Sequence, residues 1–146
     1  MGRIQTELEA ILELSIKASG ERSHWHQGRD DFAQVFFYDA LDPLSVGAGE
    51  ALTAYVYVAP DASLEMLGFQ WRTGYSWNRA YWGADRIPAE WGGHRRRMGD
   101  LPPAGGWLRL VVPAADVELE NAVLNGFAFM TYGRGDAFVD RVGKLR

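Results

Sequence analysis

Trp77-Asn78-Arg79-Ala80-Tyr81-Trp82-Gly83 opens the stretch that decides the fold, which runs on to Lys144. After it come Trp107-Leu108-Arg109-Leu110-Val111-Val112-Pro113, then Asn125-Gly126-Phe127-Ala128-Phe129, then Phe138-Val139-Asp140-Arg141-Val142-Gly143-Lys144. Each is a short run rich in β-branched and aromatic residues, bounded by glycine or proline, which is the pattern of strands and turns. The same pattern holds upstream. Leu52, Ala54, Val56 and Val58 alternate with Thr53, Tyr55 and Tyr57, so an extended chain there has one apolar face and one hydroxyl-bearing face.

Working outward, the pattern predicts strands over residues 32–38, 52–58, 64–72, 76–82 and 107–112, the last broken by Pro113. Gly74-Tyr75 marks a turn. Residues 124–132 and 137–142 are expected to form a closing hairpin across Gly133-Arg134-Gly135-Asp136. Residues 83–106 carry nine prolines and glycines and read as a long irregular excursion. One helical turn is expected over residues 114–119. At the N-terminus, Ile4, Leu8, Ile11 and Leu12 have helical spacing, whereas Leu12, Leu14, Ile16 and Ala18 alternate as a strand would. The expected architecture is all-β: one β-sandwich of jelly-roll type over residues 11–146, with about eight antiparallel strands and a short helical extension over residues 1–10.

Composition narrows the function. At 146 residues the chain suits one domain with a core of its own. A net charge of −4 argues against general nucleic-acid binding, despite the local Arg95-Arg96-Arg97 run. The absence of cysteine excludes disulfides, thiolate metal sites and cysteine nucleophiles. No apolar run reaches the length of a membrane span, and Glu7, Glu9 and Glu13 interrupt any secretory h-region. The expectation is therefore a cytosolic chain, or a piece of a longer exported protein. Six Trp, within an aromatic share of 13%, exceed what a small core needs and leave rings for ligand platforms.

Several phrases occur in a telling order: Ser23-His24; Val46-Gly47-Ala48-Gly49-Glu50 leading to Ala54-Tyr55-Val56-Tyr57-Val58; Leu67-Gly68-Phe69-Gln70-Trp71; and Arg79-Ala80-Tyr81-Trp82-Gly83. Arg96-Arg97-Met98-Gly99-Asp100-Leu101-Pro102, Gly106-Trp107-Leu108-Arg109 and Asp140-Arg141-Val142-Gly143-Lys144 follow. With these, residues 20–144 resemble a β-sandwich module of large exported bacterial multidomain proteins of planctomycete type. More loosely, the chain is similar to the galactose-binding-like jelly rolls of carbohydrate-binding modules, whose last strand often carries an aspartate, as Asp140 does here. The resemblance implies a sandwich, an extracellular setting within a larger protein, and carbohydrate as ligand. The acidic residues 1–9 lie outside the pattern.

Candidate site residues come from side-chain chemistry. Trp71, Trp77, Tyr81 and Trp82 offer flat rings for the C–H faces of sugars, with Gln70, Asn78 and Arg79 as planar polar partners. Strand alternation puts Trp77, Arg79 and Tyr81 on one face and Asn78, Ala80 and Trp82 on the other. Packing between sheets competes for the same rings. Arg95 and Arg97, beside His94 and Asp100, suit an acidic sugar or a partner's acidic strand, against the alternative of internal ion pairs. His24 and His26 share a face in an extended segment, but a zinc site wants more ligands than they supply. Asp136 and Asp140 are candidates for a structural calcium that pins terminal strands, against simple turn capping.

No serine-hydrolase or phosphate-loop pattern is present, and no carboxylate pair has a spacing that fixes glycosidase geometry. The expectation is a non-catalytic module that binds polysaccharide or glycan through aromatic and arginine side chains. The alternative is an assembly or protein-interaction module that uses its N-terminal segment toward a partner or a second copy.

Overall fold

The structure is a computed structural model that describes residues 24–28, 31–37 and 43–145. The expected N-terminal helix and the strand after it lie outside the described residues. Ten strands follow in order: β1 (His24–Gly28), β2 (Phe32–Phe37), β3 (Leu44–Ser45), β4 (Ala51–Val58), β5 (Ser63–Thr73), β6 (Ser76–Gly83), β7 (Arg95–Gly99), β8 (Trp107–Pro113), β9 (Val123–Leu124) and β10 (Gly126–Leu145). A 3-10 turn, Ala114–Val117, sits between β8 and β9 where one helical turn is expected. The chain is all-β.

β10 organises the fold. Its first half pairs with β5 on one side and β2 on the other. Its second half pairs with β1 and β4. The result is two layers that share one strand, β2-β10-β5-β6-β7 and β1-β10-β4-β8. All these pairings are antiparallel except β6 with β7, which run parallel.

The core lies between the layers. Leu52, Ala54, Val56 and Val58, the apolar face of β4, meet Leu67, Phe69 and Trp71 of β5, Phe127 and Phe129 of β10, and Trp82 of β6. Phe69 sits at the centre, with ring centroids 5.3 Å from Trp82, 5.5 Å from Phe127 and 5.8 Å from Trp71. Edge-to-face and tilted contacts at these distances stabilise such clusters beyond area burial alone.

The first layer is covered on its other face as well. Met66, Tyr81, Ile87 and Met130 are buried there, with Phe32, Trp91 and Tyr132 packed on them. The covering comes from the connection between β6 and β7, whose Ile87 and Trp91 fold back over the sheet. A parallel neighbour cannot be joined by a tight turn, so the chain must cross over. Here the crossover becomes one wall of a cleft.

Two sequence expectations are corrected. Residues 133–136 are not a hairpin turn: β10 runs unbroken from Gly126 to Leu145, and this segment is where it passes from one layer to the other. Gly133 and Gly135, both at φ +120°, supply a bend that other residues resist. Nor are residues 83–106 irregular throughout, because Arg95–Gly99 forms β7.

Candidate functional site

A cleft of about 510 Å³ opens on the outer face of the first layer. Its floor follows one rung of the sheet. Phe36, Ala128, Gln70, Arg79 and Arg95 are register partners across β2, β10, β5, β6 and β7. Strand parity then sends Gln34 and Phe36 of β2, Gln70 of β5, and Trp77 and Arg79 of β6 to the same side. Tyr75 and Ser76 from the β5–β6 turn, with Trp91, Gly92 and Gly93 from the crossover, complete the lining.

The floor is a hydrogen-bonded chain. Arg79 Nε donates to Gln70 Oε1 at 2.7 Å, and Arg79 Nη1 donates to the Gly92 carbonyl at 2.6 Å. Gln70 Nε2 donates to Gln34 Oε1 at 2.6 Å. The guanidinium carbon lies 5.1 Å from the centroid of the Trp91 ring, within cation–π range. Burial, then the charge of Arg95, holds the Arg79 pKa below its ordinary value, although an arginine keeps its proton in any such setting.

The aromatic surfaces stand around this floor. Phe36, 39% exposed, packs edge-on against Trp77 with centroids 5.7 Å apart. Tyr75 is 94% exposed at the mouth, with Arg72 5.4 Å from its ring centroid. Trp91 is held from behind by Phe32 at 5.3 Å. Exposed or half-buried rings around a polar floor make an amphipathic groove.

The crossover wall is fixed by Arg95. Its Nη1 bonds Asp85 at 3.0 Å and the Ile87 carbonyl at 3.2 Å, and its Nη2 bonds the Pro88 and Trp91 carbonyls at 3.0 and 3.3 Å. The Arg79 amide donates to the His94 carbonyl at 2.7 Å and closes the segment onto β6. Gly93 lies against the Trp77 carbonyl at φ +97°, so a side chain there would collide with β6. Under this wall, burial and then the Asp85 carboxylate push the Tyr81 pKa up, with Arg97 and Arg95 opposing.

Of the residues expected at the site, Trp77 and Arg79 meet in the cleft. Trp71 and Trp82 do not: they face the inter-layer core at 2% and 8% exposure, so the ring-platform expectation is corrected for both. Asn78 also faces away, its side-chain amide donating to the Val117 carbonyl at 2.6 Å. Tyr81 is on the cleft side but buried beneath the crossover. Arg95 and Arg97 lie outside the lining. Arg97 bonds the Gly83 carbonyl at 2.9 Å and Asp100 at 3.1 Å, so both arginines serve internal contacts.

Asp136 and Asp140 lie on the second half of β10. Asp140 is buried and its Oδ1 accepts the Arg141 amide at 2.8 Å; the Asp136 carbonyl accepts the Ala59 amide at 2.9 Å. Among the described residues no group of three or more His, Asp or Glu is placed to hold a metal ion. His24 and His26 are on β1, and their side chains lie outside the described set.

Sequence reasoning missed Gln34, Phe36, Tyr75 and Trp91. The first two carried a usable signal, because Gln34 and Phe36 alternate with Val35 on a strand that was expected. Trp91 carried none, since only the crossover brings it over the sheet.

No family model and no curated protein matches the chain. Among solved structures it is similar to a family-28 carbohydrate-binding module specific for non-crystalline cellulose, with 14% identity and a TM-score of 0.48 over 84% of this chain and 73% of that one. Among the described residues no helix is long and apolar enough to cross a membrane.

Proposed function

We propose that this chain is a non-catalytic binding domain that holds a saccharide chain in the cleft between Trp77 and Trp91. One observation carries this reading: half-buried and exposed rings surround a floor of planar polar groups, Gln34, Gln70 and Arg79. A pyranose has the complementary surfaces, apolar C–H faces for the rings and hydroxyls for the amides. The size fits, since ligand clefts run from roughly 300 to 1,000 Å³. Glycosidic cleavage needs a carboxylic acid and a second carboxylate, whereas no Asp, Glu or His lines the cleft among the described residues.

Titrating neutral and charged oligosaccharides against the protein should change its tryptophan fluorescence, because two of its indoles line the cleft. Trp77→Ala should weaken the best ligand by about 2 kcal/mol, roughly 30-fold, while the urea midpoint moves little. Silence of both fluorescence and calorimetry across the panel would rule the reading out.

A second reading, an assembly or interaction module, has its own observation on the opposite layer. Trp107, Tyr57 and Phe138 are register partners in one outward row, with centroids 5.9 and 6.0 Å apart. Light scattering separates the two readings. A mass that rises with concentration and falls back on Trp107→Glu favours assembly, and a constant monomer mass removes it.

A further inference from the structure

Arg79 is a buried cation with no carboxylate partner among the described residues. It is 5% exposed, and its partners are neutral: Gln70 Oε1, the Gly92 carbonyl and the Trp91 ring. Three other arginines of this region are neutralised. Arg95 pairs with Asp85 at 3.0 Å, Arg97 with Asp100 at 3.1 Å, and Arg86 with Glu65 at 2.6 Å. Burying an unpaired charge is costly, and neutral acceptors offset only part of that cost. Among the described residues no carboxylate lines the cleft, and Glu90, beside Trp91, is exposed and outside the lining.

The guanidinium also retains donor capacity. Nε and Nη1 are used, while Nη2 has no acceptor among the described residues. Arg79 lines the cleft, and among the described residues the sealed side-chain atoms without a partner are Trp71 Nε1 and His94 Nδ1, not Nη2, which leaves Nη2 within reach of a ligand there. Gln34 is the next polar group along the floor, on the far side of Gln70. Its Oε1 is occupied by Gln70, which leaves its amide hydrogens to donate. Two donors, one of them charged, therefore lie along the floor of a cleft that two indoles, Trp77 and Trp91, also line.

From this we infer that the cleft selects acidic saccharides, seating the carboxylate of a uronic acid residue on Arg79, with the Gln34 amide further along the floor. The inference rests on the saccharide reading above and adds the class of sugar. A uronate supplies both halves of the match: a ring face for Trp77 or Trp91, and a planar carboxylate for the arginine fork. A neutral hexose would leave the cation unmatched in a site that has lost most of its water.

The test compares cellohexaose with a β-1,4-linked glucuronate hexamer, which differ at C6 alone, by calorimetry at low salt. The uronate should bind at least 10-fold more tightly. Its methyl ester should lose that advantage, and the gap should narrow in 0.5 M NaCl as the charge contact is screened. Equal binding, or tighter binding of the neutral hexamer, overturns the acidic inference and leaves the saccharide reading standing. No binding of either hexamer or of the wider panel overturns both.

Placement on Arg79 is tested separately. In folded Arg79→Gln protein the ratio between uronate and neutral hexamer should fall below threefold, and a ratio that persists refutes the assignment. If the variant does not fold, the wild-type Arg79 Nε–H resonance decides: it should shift on uronate addition, and an unmoved resonance at saturation refutes the assignment.

Discussion

Trp71→Ala should lower folding stability by about 3–5 kcal/mol, the range for deleting a large aromatic from a packed interior. Trp71 is 2% exposed, with ring centroids 5.8 Å from Phe69 and 6.2 Å from Phe127, and it is Phe127's register partner. Its indole N–H finds no acceptor, so the loss comes from packing rather than from a hydrogen bond. Trp71→Phe should therefore be much milder. It opens a smaller cavity and removes an orphaned donor whose burial costs about 1–3 kcal/mol. Urea unfolding checks both: the midpoint should fall with an unchanged slope, since the native and unfolded surfaces barely change. Saccharide affinity, measured where the variant is still folded, should stay within about twofold, because Trp71 faces away from the cleft and truncating residues outside a contact costs little. A Trp71→Ala protein as stable as its parent would refute the two-layer core.

The contrast between Trp71 and Trp77 shows where sequence reading stops. Their positions are one rung apart across β5 and β6, since Trp77 is the partner of Arg72. Alternation states correctly that Trp77, Arg79 and Tyr81 share a face and that Trp82 takes the other. It does not say which face is the core when both are covered. β5 is buried almost continuously from Met66 to Trp71, on one side by the second layer and on the other by the crossover. A strand buried on both faces loses the polar alternation that would orient it.

β4, in contrast, was legible. Tyr55 and Tyr57 on its other face are only half-buried, and no third layer covers them among the described residues, so the apolar residues mark the interior. β7 was hidden because its residues, Arg95-Arg96-Arg97-Met98-Gly99, carry no strand pattern. It becomes a strand by pairing with the edge of β6, and Arg95 and Arg97 then spend their donors on the crossover and the β6–β7 turn region. The cleft itself joins residues 34–36, 70–79 and 91–93, contacts that only the tertiary fold brings together. Legibility followed locality.

The bend in β10 gives the other large effect. Gly133→Ala should destabilise the protein by about 3 kcal/mol or more, combining the strain of a Gly-only backbone region, about 1–3 kcal/mol, with a steric clash. At φ +120°, an added Cβ would stand 2.5 Å from the Ser63 carbonyl oxygen and 2.8 Å from Leu64 Cα. Both are backbone atoms of β5, so relief means breaking the rung where Gly133 pairs with Leu64. For a chain of this size that loss should lower the melting temperature by roughly 6–12 °C. Gly143→Ala is the control: nothing lies within 4 Å of its added Cβ and its φ is not left-handed, so it should stay within about 1 kcal/mol. The bend also sets the direction in which the first half of β10 carries β2, and with it Gln34 and Phe36, along the cleft floor. Gly133→Ala should therefore weaken saccharide binding even where the protein remains folded, whereas Gly143→Ala should not. Equal tolerance of the two substitutions, in melting and in binding, would mean that β10 does not cross between the layers at this point.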